Sequence, residues 1–181
     1  MDEGFRMEFA SALSGLNATS RSPDDTVRVV MSHADGTRVR LRPGAFQRHS
    51  EHSLAEATGA ALSRAVRGFF EGVEQGNASL RETYGGPNDV DFNQMIHEAL
   101  SPCEFSATSP RGNIGIRWRG SSDIRLKLRP RTLERLDEAG FLEEVDIVFG
   151  EVVRQYRLAY STENARLVID HMRPLMERRY T

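Results

Sequence analysis

One pattern of apolar and charged residues occurs twice in this chain, 87 positions apart, and the two copies align without a gap. Residues 27–73 match residues 114–160, and within them Thr37-Arg-Val-Arg-Leu-Arg-Pro43 matches Ile124-Arg-Leu-Lys-Leu-Arg-Pro130. Apolar positions coincide along the whole alignment, although few residues are identical. Self-similarity of this kind predicts an internal duplication, so we expect two copies of one folding unit.

The duplication predicts how the 181 residues divide. Units of roughly 80–90 residues gain stability by burying a face against each other. The glycines and the proline between Gly76 and Pro87 favour a linker. We therefore expect a first unit over residues 1–87 and a second over residues 88–181, packed together as an internal pseudo-dimer.

Each unit has the residue pattern of an α-β-β-β-α element order, which predicts an α+β fold with short antiparallel sheets. Apolar residues at helical spacing predict a short first helix over residues 2–16. Alternating apolar residues predict strands over residues 27–32 and 37–42, joined by a turn that contains Asp35-Gly36, and a shorter strand precedes them. The second copy repeats these features.

A long helix is predicted to close each unit and to cover the apolar face of its sheet. In the first unit it follows the capping-box sequence Ser53-Leu-Ala-Glu56, and apolar residues recur at helical spacing as far as Val73. In the second unit the corresponding positions run from Phe141 to Ala159. Residues 167–176 predict an extra C-terminal helix, kinked or broken at Pro174, because proline supplies no amide hydrogen.

The strands of the two hairpins carry apolar side chains on one face and basic side chains on the other. Successive strand residues point to opposite faces, so Val27 and Val29 point inward in the first copy and Ile114 and Ile116 in the second. Nine of the 24 basic residues then point outward, and no acidic residue is expected among them. We predict that these nine form a nucleic-acid-binding surface: Arg28, Arg38, Arg40, Arg42, Arg117, Arg119, Arg125, Lys127 and Arg129.

Composition limits the class of protein. A formal net charge of -2 excludes a polycation that condenses on nucleic acid through bulk charge, so any anion site must be local. The single cysteine, Cys103, excludes an intramolecular disulfide and fits a reducing compartment. No signal pattern and no run of about 18 apolar residues occurs. We expect a cytoplasmic protein with no membrane partner.

Several segments are similar to the YbaB/EbfC family of nucleoid-associated proteins. In the first copy they are Ala18-Thr-Ser-Arg-Ser-Pro23, Val39-Arg-Leu-Arg-Pro-Gly-Ala-Phe46 and Leu54-Ala-Glu-Ala57. In the second copy they are Ser106-Ala-Thr-Ser-Pro-Arg-Gly-Asn-Ile-Gly-Ile116 and Leu126-Lys-Leu-Arg-Pro130. The order of a helix, three strands ending at a proline and a long helix also resembles the family, and the copies cover nearly all of the chain up to residue 160.

The resemblance implies a non-enzymatic, nucleoid-associated protein that binds DNA with little sequence specificity. Family members are small homodimers, so the tandem copy resembles a dimer built into one chain. Two features depart from the family. The first helix of each unit is shorter, and the strand-end position that is often acidic in the family is Arg42 in one copy and Arg129 in the other, which favours an anionic partner.

The outward basic residues admit more than one role. They could neutralise phosphates, keep strand edges from aggregating as solvated charges, or pair with helix glutamates across a subunit contact. The rival function is a protein-interaction module, such as an adaptor, a secretion-associated chaperone or a toxin-neutralising partner, that keeps the fold without binding DNA. The near-neutral charge and two methionines near the C-terminus favour this rival. Whether the chain forms a homo-oligomer is left open.

Other candidate sites are weaker. Trp118 and Phe105 could stack on bases, but Trp118 is in phase with inward residues and is expected in the core. His49 and His52 have no third ligand nearby in the sequence, so solvated loop histidines are expected. Cys103 has no paired histidine, and neither a nucleophile-elbow nor a phosphate-loop motif is present. We therefore expect no catalytic residue, metal or cofactor.

Overall fold

A computed structural model describes residues 15–84 and 92–177, and within them two three-stranded antiparallel sheets. The first sheet contains β1 (Asn17–Arg21), β2 (Val27–Ser32) and β3 (Gly36–Leu41); the second contains β4 (Glu104–Thr108), β5 (Ile114–Arg119) and β6 (Asp123–Leu128). Each strand pairs with the next along the chain, so β2 and β5 are central. The α+β class and the hairpins are as predicted, and each hairpin strand lies within one residue of its predicted bounds.

Five helices connect and cover these sheets in the described residues: α1 (Ala45–Arg48), α2 (Glu51–Tyr84), α3 (Phe92–Leu100), α4 (Thr132–Arg135) and α5 (Glu138–Glu177). The two long helices, α2 and α5, contain 34 and 40 residues. None of the helices in this part of the chain is long and apolar enough to cross a membrane. The short helices α1 and α4 were not predicted; each follows a residue with positive φ, Gly44 at 74° and Arg131 at 65°.

The extra C-terminal helix predicted over residues 167–176 is not a separate element. Helix α5 runs without interruption from Glu138 to Glu177 and includes Pro174. The prediction was wrong because it gave Pro174 too much weight. Proline removes one backbone hydrogen bond of a helix, and this loss does not interrupt α5, which ends within one turn after the proline. Hydroxyls of Ser161 and Thr162 donate to carbonyls one turn back, so these polar residues also continue the helix.

The linker predicted from Gly76 is helical where the structure describes it. Helix α2 continues through Gly76 to Tyr84. The residues between them include strong helix formers such as Ala78 and Leu80, which outweigh the roughly 1 kcal/mol penalty of one glycine. The unit boundary predicted at Pro87 lies outside the described residues, as does nearly all of the helix predicted over residues 2–16.

Apolar side chains from both sheets and both long helices form one core cluster. The central strands contribute Val27, Val29, Ile114, Ile116 and Trp118, each no more than 2% exposed, as the strand alternation predicts. The long helices contribute fully buried side chains in corresponding turns: Leu54, Leu62 and Val66 from α2, and Phe141, Val145, Val148 and Val152 from α5. The helices therefore cover the apolar faces and leave the opposite faces of the sheets to solvent.

Each long helix packs against strands of both sheets. Helix α2 contacts β1, β2 and β6, whereas α5 contacts β3, β4 and β5. At the contact of α2 with β6, the Ser63 hydroxyl donates to the Ile124 carbonyl at 3.2 Å and accepts from the Ile124 amide at 3.0 Å. A Cβ atom on Gly59 would lie 3.0 Å from that same carbonyl oxygen, so glycine permits the close approach.

Local backbone geometry recurs at the spacing of the sequence repeat. The Ser22 amide donates to the Val27 carbonyl, and the Ser109 amide donates to the Ile114 carbonyl, both at 2.8 Å. Positive-φ residues correspond as well: Asp25 with Gly112, and Gly44 with Arg131. Different side chains thus adopt the same turns in both halves.

Replacing glycine by alanine should change the stability in opposite directions at different positions of the long helices, because Gly59, unlike Gly76 and Gly150, lies in close contact with a strand. Gly59→Ala should lower the free energy of unfolding by about 1–2 kcal/mol, because the new methyl group meets strand backbone that cannot move aside. Gly76→Ala and Gly150→Ala, whose Cβ atoms would meet nothing within 4 Å, should raise it by about 0.5–1 kcal/mol. Urea denaturation of the three variants measures this, and stabilisation by Gly59→Ala would contradict the contact.

Candidate nucleic-acid interface

All nine predicted basic residues are exposed, and those within the strands lie on the solvent face of their sheets. The pleat determines this arrangement, since the alternate residues of the same strands are buried in the core. Arg21 on β1 is exposed on the same face as Arg28, although it was not among the nine predicted. Its alternation with the half-buried Ser20 in the short strand was the signal that could have identified it.

The register of the first sheet brings three of these arginines side by side. Arg21 lies directly opposite Arg28, and Arg28 lies directly opposite Arg40. We call these three residues the arginine row. Adjacent strands are about 4.8 Å apart, so the row places three positive charges within about 10 Å. Like charges directly opposite each other destabilise a sheet, so the row opposes folding stability.

Carboxylates lie near both ends of this face, Asp25 at one end and Asp35 at the other, but in the described residues only Asp25 forms ion pairs there. Asp25 accepts from Arg21 at 2.7 Å and lies 4.0 Å from Arg42. Among the described residues, no carboxylate lies within ion-pair distance of Arg28 or Arg40. The surface here is concave. One hollow of about 380 Å³ is lined by the arginine row, Arg42 and Asp25, and a second of about 180 Å³ is lined by Arg28, Arg38, Arg40 and Asp35, so arginines outnumber carboxylates in both.

The second sheet is different, because acidic residues share its outer face. Glu104 lies 3.7 Å from Arg117, and Asp123 lies 3.2 Å from Arg125. Arg119 lies between these two acids in the strand register, opposite Glu104 on one side and Asp123 on the other. The expectation of an acid-free outer face is therefore wrong for this sheet. The prediction considered only the hairpin strand positions that carry basic residues. It did not include β4, which supplies Glu104.

The charge of Arg38 acts on helix α5 as well as on the outer face of the first sheet. Partial desolvation raises the pKa of Asp146 above its ordinary value, and the positive charge of Arg38 partly offsets that rise. Asp146 lies on α5, which packs against β3, the strand of Arg38. Arg38 also lines the smaller hollow together with Arg28 and Arg40.

His49 is not the solvated loop histidine that the sequence predicted. Its side chain is 10% exposed, its Nδ1 lies 2.9 Å from the Ser53 hydroxyl, and its Nε2 lies 2.9 Å from the Thr26 hydroxyl and 3.4 Å from Asp24. The Ser53 hydroxyl also accepts from the Ser50 amide at 3.0 Å, as in a capping box at the start of α2. The helix therefore begins before Ser53, and this cluster ties its first turn to the β1–β2 turn.

Hydrogen bonds also control the charge of Asp24 in this cluster. Burial opposes its ionisation, but bonds from Ser22 and Thr26 and the charge of His49 outweigh that effect, so the pKa of Asp24 lies below its ordinary value. In the second half a different residue performs the corresponding task. The buried Glu144 accepts from the Ser109 hydroxyl at 2.6 Å and from the Asn113 amide at 2.9 Å. Glu144 is therefore a turn-binding carboxylate and not a solvent-facing helix acid.

The other side chains considered in the sequence analysis, Trp118, Phe105 and the candidate metal ligands, form no second binding site in the described part of the chain. Trp118 is 1% exposed and donates through Nε1 to the Gly120 carbonyl at 3.0 Å, so it belongs to the core, as expected. Phe105 packs edge-on against Tyr156. Within residues 15–84 and 92–177, no group of three or more His, Cys, Asp or Glu side chains is arranged to hold a metal ion.

Comparison with models of known protein families and with curated protein sequences found no match to this chain.

The opposed environments of Arg28 and Arg119 predict stability changes of opposite sign. Arg28→Thr should raise the free energy of unfolding by about 0.2–1 kcal/mol, because it removes a charge that faces arginine on both sides. Arg119→Thr should lower it by a similar amount, because it removes a charge that faces acids on both sides. Both effects should shrink in high salt, and denaturation at two ionic strengths measures them. Equal changes in the two variants would contradict the register-based charge pattern.

Proposed function

We propose that this protein binds the phosphate backbone of nucleic acid, with little sequence preference, through the solvent face of β1–β3. The observation that carries the proposal is the arginine row with Arg28 and Arg40 uncompensated. A phosphate seated in the hollow beside these residues accepts hydrogen bonds from guanidinium groups and removes their mutual repulsion. Residues that oppose folding stability when free are stabilised when such an anion binds.

The second sheet contributes less in this proposal. Arg117, Arg119 and Arg125 each lie near Glu104 or Asp123, so a phosphate must compete with these carboxylates. Lys127 and Arg129 extend the positive face at the far end of β6. Duplex DNA is the preferred partner in this proposal. The chain is near neutral overall, so its binding must come from a local cluster of cations, and the regular, closely spaced phosphates of a duplex suit such a cluster.

We also propose that the chain is a tandem pair of YbaB-like units arranged as an internal pseudo-dimer. Supporting this are the matched turn hydrogen bonds, the matched positive-φ residues and the reciprocal packing of α2 on β6 and of α5 on β3. The order of a helix, three strands and a long helix in the second half, and of three strands and a long helix in the described part of the first half, agrees with the order that the resemblance implies. A cytoplasmic, nucleoid-associated role without catalysis follows from the same proposal.

A protein partner is the second candidate, favoured by exposed apolar side chains on α5. Ile147, Leu158 and Ile169 are 47%, 63% and 58% exposed. They are 11 residues apart, which is about three helical turns, so they lie along one stripe of the helix. Sedimentation of the purified chain and of Leu158→Glu tests self-association through this stripe. A pull-down with and without nuclease then separates protein partners from DNA-bridged ones.

Anisotropy titrations on a random-sequence duplex test the nucleic-acid proposal. The affinity should fall steeply as salt rises, because bound cations release counterions from the phosphates. The double variant Arg28→Gln/Arg40→Gln should weaken binding alike for all sequences. It should also lower the slope of log K against log salt by roughly 0.9 for each phosphate that the variant no longer neutralises.

The matched control is Arg125→Gln/Lys127→Gln on the second sheet, which removes the same formal charge. It should weaken binding less than the variant on the first sheet, because Asp123 already compensates Arg125. Absence of binding at low salt overturns the proposed function. Equal decreases in affinity for the two double variants show that total charge, and not the arginine row, is responsible.

A further inference from the structure

Helix α2 contacts a sheet on each of two opposite sides. A Cβ atom on Gly68 would lie 3.7 Å from the Cβ atom of Ala18 on β1, whereas one on Gly59 would lie 3.0 Å from the Ile124 carbonyl oxygen on β6. These glycines are nine residues apart, which is two and a half turns of an α-helix, so they face in opposite directions. The first sheet therefore lies on one side of α2, and the edge strand of the second sheet lies on the other.

Helix α5 repeats this arrangement with the two sheets exchanged. The side-chain amide of Gln155 donates to the Ser106 carbonyl on β4 at 3.2 Å. Asp146, nine residues earlier, lines a cavity of about 330 Å³ together with Gly36 and Thr37 at the start of β3. The second sheet therefore lies on one side of α5, and the edge strand of the first sheet lies on the other.

The solvent faces of the two sheets therefore point in opposite directions. The long helices are neighbours, since the rings of Phe70 on α2 and Tyr156 on α5 have centroids 5.6 Å apart. They form one layer, and the apolar face of each sheet is turned towards it. Layers of this kind pack about 10 Å apart, so the two sheets are separated by about 20 Å. Duplex DNA is stiff over about 150 base pairs, so a short stretch of one duplex cannot lie along both faces.

Each of these outer faces carries more basic residues than carboxylates. On the first face, Asp25 and Asp35 lie among five arginines: Arg21, Arg28, Arg38, Arg40 and Arg42. On the second face, Glu104 and Asp123 lie among five basic residues: Arg117, Arg119, Arg125, Lys127 and Arg129. Both faces are thus positive, although the chain as a whole is close to neutral.

The second face has two basic residues without carboxylate partners. In the described part of the chain, no carboxylate lies within ion-pair distance of Lys127 or Arg129. Gly115 lies directly opposite Lys127 in the strand register, and because it has no side chain it leaves space beside the ammonium group. A phosphate can therefore approach this end of β6 without displacing an acidic residue.

We propose that one molecule binds two separate duplex segments at the same time, one on each outer face, and so bridges them. The first face binds more tightly, because Arg28 and Arg40 have no carboxylate partner, whereas Glu104 and Asp123 compete for cations of the second face. This inference rests on the proposed function and extends it, since phosphate binding needs only one face and bridging needs both.

A capture assay with the full chain tests the proposal. A random-sequence duplex is attached to beads, and a fluorescent duplex of the same sequence is added with the protein at low salt. The amount of captured duplex should rise and then fall as protein is added, because excess protein covers each duplex with separate molecules. Rising salt should abolish capture before it abolishes binding to a single duplex, since the weaker face dissociates first.

Three double variants assign the two faces. Lys127→Gln/Arg129→Gln should lower capture by about tenfold or more and weaken binding to a single duplex by less than about threefold. Arg28→Gln/Arg40→Gln should lower both. The matched control, Arg154→Gln/Arg166→Gln, removes the same formal charge from α5, where both arginines pair with glutamates. It should leave capture unchanged.

Self-association through the apolar stripe of α5 would link two duplexes in another way, with each copy using its first face. Capture that is lost in Leu158→Glu but kept in Lys127→Gln/Arg129→Gln would identify that route and overturn the proposal. Binding of a single duplex without capture of a second would also overturn it and leave the proposed function intact. Absence of any duplex binding would overturn both.

Discussion

The packing of each long helix on the edge strand of the other sheet is the constraint on which the structure depends. A three-stranded sheet has two unpaired edges and one apolar face, and burial of that face is what stabilises it. Helix α2 covers its own sheet and the edge strand β6, while α5 covers its own sheet and the edge strand β3. One core therefore includes both halves, and neither sheet can lose its partner's helix without exposing apolar residues.

The same packing determines which charges face solvent. Once the apolar face of a strand is held against a helix, the pleat directs every alternate side chain outward. In the first sheet this brings Arg28 between two other arginines, at a cost in stability that no described carboxylate offsets for Arg28 or Arg40. The core supplies the stability that is lost at this surface. The second sheet has a smaller cost of this kind, because Glu104 and Asp123 lie opposite Arg119.

Much of the fold could be predicted from the sequence because local signals and the repeat agreed. The strands, the inward residues such as Val29 and Ile116, and the exposure of the basic residues all follow from period-two alternation. Features that depend on residues far apart in the sequence could not be predicted in this way. Nothing local distinguishes Glu144, which is buried, from Glu143, which is exposed, because only the Ser109 and Asn113 side chains opposite decide it. The continuation of α5 through Pro174 and of α2 through Gly76 was missed because single helix-breaking residues were given more weight than their neighbours.

The two contacts between a long helix and an edge strand are built from different residues. Gly59 and Ser63 allow α2 to lie directly against β6, whereas Asp146 and Gly150 on α5 line an open cavity beside the β2–β3 turn. A complex of two identical subunits related by a two-fold axis would have the same residues at both contacts, so both would be closed or both open. Because these contacts lie within one chain, a substitution can change the packing of one of them and leave the other as it is.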